Sequence, residues 1–102
     1  MKPVVLNGQV WKVVRILPDD PYLMGRLGVT DRRDRIIGVS WNLMPPLLDK
    51  VLLHEIGHAV TMAYGYKVDE ASAQLIENHA IESIALVSEV LGRPVCVDGR
   101  CV

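Results

Sequence analysis

The chain has 102 residues, half of them hydrophobic, which suits one small domain with a modest core. It contains no Phe, so Val, Leu, Ile and Ala must fill that core. A net charge of −1, with acidic and basic residues interspersed, gives no reason to expect nucleic acid, an anionic membrane or an acidic substrate as partner.

The N-terminal apolar run Val4-Val5-Leu6 is too short for a signal-peptide core, and no stretch reaches the roughly 18 apolar residues that span a bilayer. The expectation is a soluble, cytoplasmic protein. Val4–Leu6 and Val10–Leu17 read as two strands joined by the hairpin turn Asn7-Gly8. Pro18-Asp19-Asp20-Pro21 ends that segment, because proline neither donates to a ladder nor continues it. Leu27–Thr30 and Arg35–Val39 are two further short strands. The charged run Asp31-Arg32-Arg33-Asp34-Arg35 between them reads as a solvated turn, its three arginines interrupted by two aspartates. The first half is therefore a small antiparallel or mixed sheet.

The second half is helical. Pro45-Pro46 suit a first helical turn, and Leu47, Leu48, Val51, Leu52, Ala59 and Met62 recur at helical spacing up to Gly65, a C-terminal stop. A second helix is capped by Asp69, runs to about Leu91 and ends at Gly92, with Pro94 beyond it. Strands first and helices last argue for an α+β fold with both helices on one side of the sheet. At the C-terminus, Asp98-Gly99 between alternating apolar residues predicts a hairpin that brings Cys96 opposite Cys101. A bridge is geometrically possible there, but a cytosolic setting favours two reduced thiols.

The first helix carries His54-Glu55-Ile56-Gly57-His58. Positions i and i+4 share a helix face, so both imidazoles can hold one zinc ion while the intervening Glu55 acts on a zinc-bound water. Catalytic zinc usually takes three protein ligands, and Asp69, Glu70, Glu77, His79 and Glu82 are the available third ones. Helical phase separates them. At 100° per residue, Ala73, Ala80, Ile81, Ile84 and Leu91 fall within roughly 60° of Glu77, whereas Glu82 and His79 lie about 140° and 160° away. A carboxylate in the middle of an apolar stripe is costly unless paired or bound to metal, which selects Glu77. Glu70 shares its phase but lies about 10 Å along the axis, where it complements the helix dipole, and it is the second choice.

His54-Glu55-x-x-His58 followed by Glu77 on the next helix resembles the gluzincin branch of zinc metallopeptidases. The residues after His58, Ala-Val-Thr-Met-Ala-Tyr, lack the glycine and third histidine of the metzincin pattern. Leu52-Leu53-His54-Glu55-Ile56-Gly57-His58-Ala59 also resembles short zincin-like proteins of phages and mobile elements, including the family that cleaves phage repressors. Glu77, Ala80 and Ile84-Ala85 follow that family's second-helix pattern loosely. Ile81 stands where gluzincins often carry an aspartate four residues after the ligand glutamate. The resemblance covers roughly residues 27–91. It implies a single minimal zincin-like domain with Zn2+ held by His54, His58 and Glu77. It further implies peptide-bond hydrolysis through a zinc-bound water with Glu55 as general base, and a peptide or protein substrate. Tyr64, Tyr66 and His79 are the side chains available to stabilise an oxyanion. The strand at Arg35–Val39 is the expected sheet edge on which an extended peptide could add. Trp41 after it is expected in the core, with lining the cleft as the other placement. The rival reading is a non-catalytic zinc-binding regulatory or assembly protein.

Overall fold

A computed structural model describes residues 1–65, 80–97 and 100–101. Strands β1 (Val4–Leu6) and β2 (Gln9–Ile16) form an antiparallel hairpin in which Val4 faces Trp11 and Leu6 faces Gln9. Asn7 and Gly8 both take positive φ, 50° and 76°, the left-handed pair that a two-residue type I′ turn requires. After β2 the chain makes a short 3-10 turn, Pro21–Leu23, opened by the Asp20 carboxylate accepting the Tyr22 N–H at 2.9 Å. Leu23 is fully buried there.

β3 (Gly28–Asp31) and β4 (Ile36–Ser40) are antiparallel neighbours, and β4 also lies parallel to β2. Among the described residues the result is a mixed four-stranded sheet in the order β1-β2-β4-β3. Asp31 shapes the β3–β4 turn by accepting the backbone N–H groups of Arg33 and Asp34 at 2.9 and 3.3 Å. The strands were expected at Leu27–Thr30 and Arg35–Val39, one residue earlier. The expectation that the second of these is the sheet edge is wrong: β4 is paired on both sides, and among the described residues the edge strands are β1 and β3. A sequence shows that strands exist, but order in the sheet depends on pairings distant in the chain.

Alternation along the strands separates the two faces. Val4, Leu6, Trp11, Val13, Ile37 and Val39 are buried, while Val5 and Val10 point to solvent. Helix α1 (Leu47–Ala63) covers the buried face, burying Leu48, Leu52, Ile56 and Ala59 at helical spacing. It stops at Tyr64, with Gly65 at φ +77° donating to the Met62 carbonyl at 3.3 Å. Helix α2 (Ala80–Leu91) packs on α1 and adds Ile84, Val87 and Val90 to the same core. The fold is thus a small α+β arrangement with its two described helices sharing one core on one face of the sheet. The end of α2 agrees with the expected stop at Gly92, which has φ +68° and donates to Ser88 O at 2.8 Å. The expected start at Asp69 lies outside the described residues.

Arg93, just past α2, reaches back to the first turns of α1. Its guanidinium forks onto the buried Asp49 carboxylate at 2.6 and 3.1 Å, tying the two helices together. The C-terminal hairpin forms as expected from β5 (Cys96–Val97) and β6 (Arg100–Cys101), with Cys96 opposite Cys101. The expectation of reduced thiols is corrected: Cys96 is disulfide-bonded, and Cys101 is the only other cysteine in the chain. Cross-strand neighbours already stand within bridging range, so oxidation demands little rearrangement. Among the described residues no helix is long and apolar enough to cross a membrane.

Candidate metal centre

α1 is unbroken through the His-Glu-x-x-His segment, so His54 and His58 lie on one face, as the spacing requires. Their rings meet edge to face with centroids 4.5 Å apart, and the two Nε2 atoms face each other at 2.9 Å. Two ring nitrogens at that distance need a proton or a cation between them. Tetrahedral zinc with Zn–N bonds of 2.0–2.1 Å holds two such nitrogens about 3.3 Å apart, so a small opening of the pair fits that ion. Burial is the main effect holding the His58 pKa below its ordinary value, repulsion from His54 adds to it, and Glu55 opposes it. The ring is therefore kept in the neutral form that binds metal. His58 Nδ1 is buried without a hydrogen-bond partner. The ring's outer nitrogen thus lacks the acceptor that usually orients a metal-bound histidine.

Glu55 lines the same cleft as the pair and reaches β3. It is 8% exposed. Thr30 on β3 anchors it: the threonine Oγ1 lies 2.9 Å from Glu55 Oε1 and 3.0 Å from the Glu55 carbonyl, so one hydroxyl proton is shared between two acceptors. Gly28, two residues earlier and on the same strand face, lets helix and strand approach closely. A Cβ there would stand 2.8 Å from Glu55 Cγ and 3.1 Å from Glu55 Oε2. The carboxylate is thus held by a strand hydroxyl above a position where only hydrogen fits.

The helix face and the strand enclose an open cleft of about 670 Å³. Residues 25–30 form one wall, and Lys50, His54, Glu55, His58 and Met62 line the other. His54, Glu55 and His58 are therefore brought together as expected. Glu77 lies outside the described residues, as do Asp69, Glu70, Tyr66 and His79, and so does the side chain of Glu82. Among the described residues no group of three His, Cys, Asp or Glu side chains stands ready to hold a metal ion.

Two other expectations are corrected. Trp41 is neither in the core nor in the cleft wall: it is 59% exposed and lies under the Arg15 guanidinium, 5.6 Å from the ring centroid. Tyr64 does not line the cleft either, because its hydroxyl accepts the Asn7 N–H at 3.2 Å beside the β1–β2 turn. Sequence reasoning missed Gly28, Thr30 and Lys50. The period of two along β3 puts residues 28 and 30 on one face, but nothing in the sequence says that this face meets Glu55.

Comparison with known proteins found no matching family, no matching curated protein and no matching solved structure.

Proposed function

We propose that this protein is a zinc-dependent metallopeptidase of gluzincin-like type in which Glu55 serves as general base. One observation carries the reading: two histidine Nε2 atoms converge at 2.9 Å beside a buried, hydroxyl-anchored glutamate, in a cleft walled by a sheet edge. His54 and His58 would hold the ion, with Glu77 as the third ligand. Bound there, zinc supplies Lewis acidity, acidifying a water and polarising a scissile carbonyl.

The chain's own residues do the rest. Glu55 takes the proton of the attacking water and returns it to the leaving amine. Thr30 restricts the carboxylate to one orientation, which spares the transition state an ordering step. Among the described residues β3 pairs with β4 on one side only, and its other side would offer main-chain donors and acceptors to an extended peptide. The resemblance to phage and mobile-element zincin-like proteins supports a peptide or protein substrate. The Cys96 disulfide weighs against a cytoplasmic setting, since such bridges persist mainly in oxidising compartments. Thiol titration of denatured protein purified from cytosol decides that point.

The rival, a non-catalytic zinc-binding regulatory or assembly protein, has one observation on its side: Glu55 is largely buried, with its carboxylate already engaged by Thr30. Glu55→Gln separates the readings. The peptidase reading expects stoichiometric zinc, an unchanged fold and lost hydrolysis. Full function in that variant establishes the rival. If His54→Ala leaves metal content and melting temperature unaltered, both fail.

A further inference from the structure

A second, smaller cleft of about 310 Å³ lies beyond the far end of β3, lined by Gln9, Trp11, Arg32, Arg35, Met62 and Ala63. Arg32 and Arg35 come from the turn Asp31-Arg32-Arg33-Asp34-Arg35, in which three arginines face two aspartates. Asp31 spends its carboxylate on the backbone of that turn and on the Tyr22 hydroxyl. Neither Arg32 nor Arg35 has an ion-pair or hydrogen-bonding side-chain partner among the described residues. Trp11 is 1% exposed, and its indole N–H is buried with no acceptor. A buried donor without an acceptor is unfavourable, and a small shift of the indole toward a bound acceptor would relieve it. Arg32, Arg35 and Gln9 line the cleft over the buried Trp11 indole, and no carboxylate is among its lining residues, a composition that suits an oxyanion.

Position says which oxyanion. Met62 lines both clefts, so the two adjoin along α1. From Glu55 to Met62 is seven residues, about 10 Å of helix. An extended peptide covers about 3.3 Å per residue, so a chain lying on β3 across His54 and Glu55 reaches the arginines about three residues away. We propose that this cleft is a carboxylate-binding subsite that selects peptides with an acidic group about three residues from the position held beside Glu55. The proposal builds on the peptide-binding reading of the main cleft, but it is read by binding and does not require hydrolysis.

The test uses the full chain carrying Glu55→Gln, so that no peptide is consumed, with its metal content as purified. Acetylated, amidated octapeptides carry one aspartate walked along an otherwise neutral sequence, each paired with its asparagine analogue. The expected result is an aspartate position bound about tenfold more tightly than its analogue, the size of a charge-assisted hydrogen bond. The Trp11 indole N–H resonance should shift in the same titration. Adding Arg32→Gln and Arg35→Gln should erase the tenfold difference while the asparagine peptides bind as before. Equal binding of every aspartate–asparagine pair, or an unmoved Trp11 resonance, overturns the proposal. So does inorganic phosphate shifting that resonance at concentrations where the peptides do not, which would make the cleft a phosphate site. If no peptide of either kind binds, the main-cleft reading fails first. In that case acetate is titrated against the Trp11 resonance, and its dependence on Arg32 and Arg35 decides the oxyanion site by itself.

Discussion

Two buried carboxylates stand six residues apart on α1, and the protein treats them differently. Asp49 is 4% exposed and faces the forked guanidinium of Arg93, so its charge is met by an opposite charge and two hydrogen bonds. Glu55 is 8% exposed and receives one shared threonine hydroxyl. The first arrangement ties two helices together and neutralises the carboxylate with an opposite charge. Among the described residues the second holds its carboxylate by a hydrogen bond and no ion pair, which suits the general-base role proposed for it. Burial alone therefore does not mark a functional acid; the nature of its partner does.

The contrast can be broken at either end. The largest expected effect on activity is that of Glu55→Gln, which should lower peptide hydrolysis about 10²–10⁴-fold while the denaturation midpoint stays put. A loss of stability with activity retained would make Glu55 a structural residue like Asp49. The largest effect on stability belongs to Arg93→Met, which leaves Asp49 buried without a partner. Breaking a fully buried pair costs about 3–5 kcal/mol, and the Arg93 side chain is 38% exposed, so about 2 kcal/mol is expected in urea denaturation. Combining it with Asp49→Leu should recover at least half of that loss. Failure to recover it would mean that the pair contributes more than charge compensation.

Smaller changes sharpen the Glu55 end. Thr30→Val keeps the shape of the side chain but removes the hydroxyl. It should cost about 1 kcal/mol of stability and lower kcat more than it raises KM, because it frees the orientation of the base. Gly28→Ala adds a methyl group 2.8 Å from Glu55 Cγ and should displace the carboxylate. Hydrolysis should fall with little change in bound zinc, and a variant at full rate would show that the close approach of strand and helix is incidental.

The smallest effect lies at a third, exposed carboxylate. The Tyr22 hydroxyl donates to Asp31. Burial first, then that hydrogen bond and the charges of Asp31 and Asp34, push the phenol up to about 12. The Tyr22 hydrogen bond, aided by the backbone N–H of Asp34, holds the Asp31 carboxyl below its ordinary 3.8. The phenol's contribution to stability is complete below pH 10 and lost as pH rises through about 12. The carboxylate's contribution is complete above its unfolded value and lost as pH falls through the folded one. Absorbance titration should find one of the three tyrosines ionising near pH 12, and Tyr22→Phe should remove it. All three ionising together near pH 10 would dissolve the pair.

How much was legible beforehand follows the range of each interaction. The His54–His58 pair, the Asn7-Gly8 turn, the stop at Gly92 and the hairpin that sets Cys96 opposite Cys101 were all readable, because each depends on residues within a few positions of one another; the oxidation of those thiols was not. Spacing of four on a helix and φ > 0 at a turn are local facts. The sequence by itself thus determined the element types, the α+β class and the two imidazoles on one helix face. Only the tertiary structure decided that β3 and not β4 is an edge strand, that Thr30 and Gly28 meet Glu55, that Arg93 neutralises Asp49 and that Arg32 and Arg35 share a cleft with Trp11. Each of those joins residues at least 20 positions apart. Such contacts are chosen by which packing of the sheet and helices buries the core, and no local pattern in the chain encodes that choice.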